Sequence, residues 1–354
     1  MRIIRNYFLK EFLSNFIFSF LGITLIMLLG NLVKLSDLVV RKGVDFFVAA
    51  QLFLYYVPYL LEFSLPLACL LGTLLSLGRI SSDNEIISLK VAGISMTRIL
   101  LVFLTIGIII SLFLVILNDR IIPQAHFASR KVLKKLTKDN PLSFVEPGVF
   151  IDEFKDFILF TQDVEANTLK KVFIYELQDN SSNLIYADKG EFVIDGDVLK
   201  VKLQDGFIEG PEMKYRIHFK THFMYLPIEK HMGKVAKKPK DMTIKEIQAA
   251  IQDLKDKNLD PLPLRVEFQR KISMSFSSVI FILLGFGVAG MIKHREKSIN
   301  FGICFVAALG YYLLSLLGET LVLKNVLPVA LGMWLPNFIF LAVGGILSFR
   351  LCRS

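Results

Sequence analysis

Six runs of this chain are apolar enough and long enough to cross a bilayer, and no other feature narrows the possible folds as much. A helix needs roughly 20 apolar residues to span hydrocarbon. The first run lies between Glu11 and Lys34 and is uncharged throughout. The second, Phe46–Gly78, is broken only by Glu62, Pro58 and Pro66. It is too long for one straight crossing, so a kinked or tilted helix with an interfacial lead-in is expected. Ile99–Asn118 is the third. Ile272–Ile292, Ser298–Gly318 and Asn325–Phe349 follow after a long polar interval.

The composition agrees: 53% of residues are hydrophobic and the mean hydropathy is +0.54. A net charge of +9 would suit a nucleic-acid partner, but the basic residues gather at the ends of apolar runs. That is the pattern of membrane orientation, so nucleic acid is discounted. The first run is too long for the apolar core of a signal peptide and lacks a small-residue cleavage site, so an uncleaved span is expected. Cys69 and Cys304 lie inside apolar runs and Cys352 at the C-terminus, which leaves the middle region without a disulfide framework.

The middle region, Asp119–Lys271, opens with a basic helical lead, Ala128–Lys138. Short alternating runs follow at Phe157–Val164, Lys171–Leu177, Leu184–Ile194, Val198–Ile208 and Tyr215–Ile228. Their period of two, with Asp195-Gly196 and Asp205-Gly206 as turn signals, predicts antiparallel strands in a sandwich or jelly roll. Lys234–Lys240 reads as a basic linker. Thr243 and Glu246 then form a capping box that opens a helix to about Lys257. The expected organisation is residues 1–118 with spans one to three, 119–271 as an all-β jelly-roll-like domain with flanking helices, and 272–354 with spans four to six.

Arg79–Arg98 is a polar island between spans two and three. Ser82 and Glu85 have capping-box spacing and Gly93 stands where a glycine would stop a helix, which predicts a short helix over about 82–93. At about 1.5 Å per residue it is too short to cross a membrane, and it is too polar to lie within one. It is expected at the membrane surface, held by both flanking spans. Arg2, Arg5, Lys10, Arg79, Lys90, Arg98, Lys293, Arg295, Lys297, Arg350 and Arg353 fall on this side; only Lys34, Arg41, Lys42 and Lys324 fall in short loops on the other. The richer side is read as cytoplasmic, with both termini and the island inside and the β domain outside.

Gly285, Gly287 and Gly290 match a dinucleotide fingerprint letter for letter. They lie inside a span with no preceding strand, so helix packing is the better reading, as for Gly302, Gly310 and Gly318. There is no Walker A sequence. His218 and His222 would share a strand face, with His231 following, but no carboxylate or cysteine completes a metal set and surface histidines are favoured. No catalytic triad or carboxylate pair stands out, and no cofactor is expected. Glu319 reads as an interfacial helix end; Glu62, bracketed by prolines, stays open. Lys34, Arg41 and Lys42 run against the charge trend. Snorkelling and the binding of an anionic, phosphate-bearing ligand explain them equally well.

Several motifs resemble one family over nearly the whole chain. They are Leu77–Ser95 (LGRISSDNEIISLKVAGIS), Pro147–Phe150, Ala187–Gly190, Leu203–Gly206, Met242–Glu246, Glu267–Ile272, Tyr311-Tyr312 and Trp334–Asn337. The chain is similar to the lipopolysaccharide-export permeases of the LptF/LptG (YjgP/YjgQ) type. Ser275-Phe276 departs from the pattern, since members often carry a proline there. The resemblance implies a multi-pass inner-membrane permease with six spans and a periplasmic jelly roll, paired with a second, paralogous permease as a heterodimer. It further implies a cytoplasmic ATPase dimer docked on the helix between spans two and three, where Glu85 and its neighbours Asp83, Ser82 and Arg79 would couple hydrolysis to transport. Lipopolysaccharide would pass from the outer leaflet of the inner membrane to periplasmic jelly-roll bridge proteins, its phosphates meeting Lys34, Arg41 and Lys42. A membrane enzyme acting on a lipid would need a clustered catalytic acid or histidine, and a passive scaffold would not stimulate an ATPase; both remain alternatives.

The charge asymmetry predicts that thiol reagents confined to the periplasm label cysteines placed in Asp139–Lys240 but reach Cys352 only after permeabilisation. Labelling of Cys352 in intact cells would reverse the orientation.

Overall fold

The computed structural model describes residues 2–40, 43–139, 148, 150–154, 157–165, 168–178, 181–195, 198–210, 215–226, 237–290 and 297–353. Nine α-helices and six strands run through these residues. The first helices are α1 (Arg2–Val40), α2 (Phe46–Ser82), the short α3 (Glu85–Val91), α4 (Met96–Ile116) and α5 (Ile122–Asp139). After the strands come α6 (Ile244–Asp256), α7 (Leu262–Ala289), α8 (Lys297–Leu323) and α9 (Val329–Arg353). Six helical segments are long and apolar enough to cross a membrane. The fold is therefore that of a six-helix membrane protein with an inserted β unit.

Two compact units emerge, one of residues Met1–Leu35, Ala49–Ser129 and Lys237–Ser354, the other of Ser36–Val48 and Arg130–Ala236.

Several spans are longer than their apolar runs suggest. α2 stays helical through Pro58 and Pro66 as far as Ser82, and α7 begins at Leu262, ten residues before the uncharged run. α4 does not end at Asn118. A π-helical turn, Leu117–Ile121, joins it directly to α5. The polar residues Asn118, Asp119 and Arg120 mask this continuity in the sequence, because charge falls where the helix leaves the apolar run, not where it stops.

The helical unit packs around α7. A methyl group added at Gly285 would lie 3.0 Å from Thr73 Cβ and 3.2 Å from the Leu70 carbonyl of α2. At Gly287 it would lie 2.6 Å from Leu347 Cβ and 2.7 Å from the Ser348 nitrogen of α9. The glycine repeat is thus a packing surface on two sides, as small residues in membrane helices allow. Gly318 closes on Gly332 in the same way, but Gly302 has open space beside it and takes no part. Phe8, Phe12, Phe103 and Phe286, all nearly solvent-free, fill the gap between α1, α4 and α7.

In the β unit, β1 (Phe150–Phe154), β2 (Phe157–Glu165), β3 (Thr168–Gln178), β4 (Ser181–Asp195), β5 (Val198–Glu209) and β6 (Arg216–Leu226) form one antiparallel sheet in sequence order. Leu159, Leu169, Val172, Ile174, Ile185, Val201 and Leu203 form its core. Phe160, Phe173, Tyr186, Phe207 and His218 stand opposite one another on successive strands as a ladder of rings, at 6.0, 4.9, 5.3 and 5.9 Å. Cross-strand ring pairs of this kind stabilise a sheet and hold its register. Five strands coincide with the predicted runs; β1 is additional. Asp205-Gly206 lies inside β5, not at a turn. Gly206 is needed there because a Cβ would meet the Tyr186 carbonyl at 2.0 Å and the Phe219 ring at 2.8 Å. Gly196 of the other turn signal lies outside the described residues.

Gly287→Ala should destabilise the purified protein by about 1–3 kcal/mol through overpacking, whereas Gly302→Ala should leave it unchanged. Equal thermal unfolding of the two variants in detergent would remove the special role of the α7–α9 contact.

Candidate functional site

The polar island folds differently from its capping-box reading. Ser82 is the last residue of α2, and its Oγ donates to the Arg79 carbonyl at 2.9 Å. Asn84 then adopts a left-handed conformation, φ +58°, which asparagine tolerates better than most residues. α3 starts only at Glu85, without a side-chain cap. The capping box fails because the helix starts later than the spacing suggests, with the left-handed Asn84, not Ser82, at its N-cap. The stop signal works as expected. Gly93, at φ +75°, donates to the Lys90 carbonyl, and Ile94 to the Leu89 carbonyl, both at 3.0 Å, which closes α3 as a Schellman motif.

With no cap to form, Glu85 turns to α1. Its carboxylate accepts from the Tyr7 hydroxyl, which lies 3.1 and 3.0 Å from Oε1 and Oε2. Arg79 Nη2 donates to that hydroxyl at 2.9 Å and pairs with Glu11 at 3.1 Å. Asn15 Nδ2 joins Glu11 Oε1 to Ser76 Oγ, each at 3.1 Å. The result is a continuous chain of bonds from α3 through α1 to α2, charge-assisted at Glu85, Arg79 and Glu11 and so stronger there than between neutral groups. On the far side, Lys90 Nζ donates to the Leu351 carbonyl of α9 at 3.3 Å. α3 is thus held by four helices: α2 and α4 by sequence, α1 and α9 by contact. Ile86 faces inward, whereas Ile87 and Val91 are 60% and 85% exposed one turn apart, with Asp83 exposed beside them. Tyr7 was not legible as a site residue; a lone tyrosine before a span carries no motif.

Of the three basic residues at the far end of α1, Lys34 is exposed on the helix, which runs on to Val40. Arg41 and Lys42 lie outside the described residues. His218 and His222 lie against the rings of Phe207 and Phe219 in tilted pairs, as sheet side chains; His231 lies outside the described residues.

A second polar cluster lies deep in the helical unit. Lys271 of α7 is 4% exposed, and its Nζ donates to the carbonyls of Asn118 and Met242, both at 3.0 Å. Asn118 reaches Ser275 Oγ at 3.3 Å, and Ser111 donates to the Ser275 carbonyl at 2.7 Å. Asp119 accepts from the Ile244 nitrogen at 2.7 Å, at the first residue of α6. Glu62 is buried among the charges of Arg270, Glu267 and Lys271, and Glu319 stands 3.9 Å from Arg270. The π turn makes this possible by rotating Asn118 inward while Asp119 faces α6. Nearer α9, Asn337 donates to the Ser273 carbonyl at 2.8 Å and accepts from Tyr311 at 2.7 Å. Outside the spans, the Thr243–Glu246 capping box forms as expected, and the Lys237 ammonium beside Glu246 lowers that carboxyl below its ordinary value.

Comparison with known proteins adds a family to this geometry. The family described as lipopolysaccharide export system permease LptF/LptG matches residues 6–350. The chain is 23% identical to the lipopolysaccharide export system permease protein LptG of Haemophilus influenzae over 81% of each chain. It is 21% identical to LptG of Escherichia coli K12, over 95% of this chain and 96% of that one. It is also 22% identical to LptF of the same strain, over 98% and 94%.

Tyr7→Phe should keep the fold, at a cost of about 1 kcal/mol for the lost hydrogen bonds, while raising deuterium uptake over residues 85–91. Uptake equal to the parent protein would show that Tyr7 does not restrain α3.

Proposed function

The chain belongs to the LptF/LptG family of lipopolysaccharide export system permeases, and on that premise we propose how its parts share the work of transport. It is a multi-pass membrane subunit of a transporter, in a family with two paralogous members. A second permease is its natural partner, since the family has two paralogous members, LptG and LptF, and this chain is similar to both. ATP hydrolysis belongs to a separate cytoplasmic ATPase dimer. We assign its docking site to α3, where Ile87 and Val91 offer an exposed apolar pair and Asp83 a charge.

The observation that carries this reading is the bonded chain Glu85–Tyr7–Arg79–Glu11. A surface helix that only joined two spans would need no such link to a third. Through it, a shift of α3 of an ångström or so would reach α1, α2 and α4 together, because packed elements respond by discrete rearrangement. α1 carries Lys34 at its other end, so the same helix that feels the ATPase bears the cation for a lipid phosphate. In this reading the termini and α3 are cytoplasmic and the β unit is periplasmic. Lipopolysaccharide leaves the outer leaflet of the inner membrane beside α1 and passes by the β unit to periplasmic jelly-roll bridge proteins.

Glu85→Gln tests the coupling. The amide oxygen still accepts from Tyr7, but the charge is gone, and with no capping box at stake the helix itself should persist. In proteoliposomes with the cognate ATPase and second permease, lipopolysaccharide release should fall several-fold with assembly intact. Lys34→Glu should weaken photocrosslinking to lipopolysaccharide without lowering basal ATP hydrolysis. Wild-type release with Glu85→Gln, and wild-type crosslinking with Lys34→Glu, would each remove the corresponding assignment.

A further inference from the structure

α2 is clamped over one half of its length and loosely packed over the other, and a buried acid marks the boundary. Every residue from 68 to 78 is buried. Three helices hold that stretch. A Cβ on Gly72 would lie 3.0 Å from Phe16 Cα of α1, one on Gly78 3.2 Å from the Asn300 side chain of α8, and one on Gly285 of α7 3.0 Å from Thr73 Cβ. Toward the start of α2 the packing thins, and Leu54, Tyr56 and Tyr59 are exposed. Pro58 and Pro66 lie inside the helix where the two regimes meet. Proline has no N–H, so the carbonyl four residues before each, of Leu54 and of Glu62, loses its helical donor. Helices bend at such breaks.

Glu62 stands between the two prolines and is only 9% exposed. Arg270, Lys271 and Glu267 of α7 surround it, with Asn118 of the π turn beside it. The Lys271 ammonium is engaged by two carbonyls. Arg270 is the cation left to answer Glu62, and it is shared with Glu319 of α8, 3.9 Å away. An ionisable group at this depth is costly and marks a working position more often than a filler.

We propose that α2 is hinged between Pro58 and Pro66, and that Glu62 is a positioning residue that latches residues 49–61 to α7 through Arg270. The clamped half keeps its place beside α1, α7 and α8. The leading half then opens from α7 and closes on it without disturbing the end of α2 that leads to α3. Closed, the carboxylate has Arg270; open, it has water. Each position satisfies the charge, as a two-position element requires. A helix that only filled space would need neither the two breaks nor an acid between them. The hinge belongs to this chain alone and does not depend on the transport reading.

The test measures the distance between spin labels at Leu54→Cys and Leu331→Cys by pulsed electron resonance, on the purified full chain in lipid nanodiscs. Both sites are exposed; Cys69 and Cys304 are buried and stay unlabelled, and Cys352 is replaced by serine. The parent should show one dominant distance. Glu62→Gln should shift the population several-fold toward a second one. Arg270→Gln should do the same, and the double variant should add nothing to either, since one pair is broken in all three. Glu62→Asp, which keeps the charge, should stay close to the parent. Pro58→Ala/Pro66→Ala returns both missing donors and should restore a single distance in the Glu62→Gln protein. Unshifted distances in Glu62→Gln and Arg270→Gln would overturn the latch, as would additive effects of the two. A second population that survives the proline replacements would overturn the hinge. Arg270→Gln reads the same pair from α7, so the test stands even where Glu62→Gln fails to fold.

Discussion

Lipid tails are as apolar as leucine, so the helices of this chain gain little by burying hydrocarbon against one another inside a membrane. Association must come from close packing and from hydrogen bonds across helices, and α7 supplies both. Its glycines let α2 and α9 approach to backbone distance. Its serines then donate or accept across the interfaces, Ser273 to the Met333 carbonyl at 2.7 Å and Ser275 from Asn118. α2, α4 and α9 all pack against this one helix, and α8 packs on α9.

The same constraint explains the buried cluster around Lys271. A cation in a dry interior is costly unless its donors are used, and here two carbonyls from different segments accept from it. One of those carbonyls is Asn118, in the π turn, whose extra residue per turn swings that side chain into the bundle. π turns are often found where a helix departs from regularity for function. Here it joins α4, α7 and the start of α6 in one bonded network, so the ends of these elements are tied together.

α3 is organised on the opposite principle. It is short, partly exposed and too small to be stable alone, so its position is set by what holds it. Ile86 packs inward, Glu85 reaches Tyr7, and Lys90 reaches α9. A helix held by a few polar bonds to several spans can shift without unfolding any of them, as the proposed coupling role would require.

Much of this was legible in the sequence because the signals are local or periodic. The apolar runs place six spans, period-two alternation places five strands, Thr243–Glu246 caps α6, and Gly93 stops α3. Each depends on neighbours in the chain, where spacing and chemistry are visible together. What the tertiary structure decided depends on distant partners. Ser82 and Glu85 have capping-box spacing, yet Ser82 satisfied its hydroxyl within α2 and Glu85 found Tyr7, 78 residues away. Asp205-Gly206 has turn chemistry, yet it sits mid-strand, where a neighbouring carbonyl and ring leave no room for a Cβ on Gly206. Asn118 and Lys271 look like the polar ends of spans, yet helices continue through both and the two meet in the interior. A polar residue in a sequence announces that it needs a partner; only the folded chain decides which partner it gets.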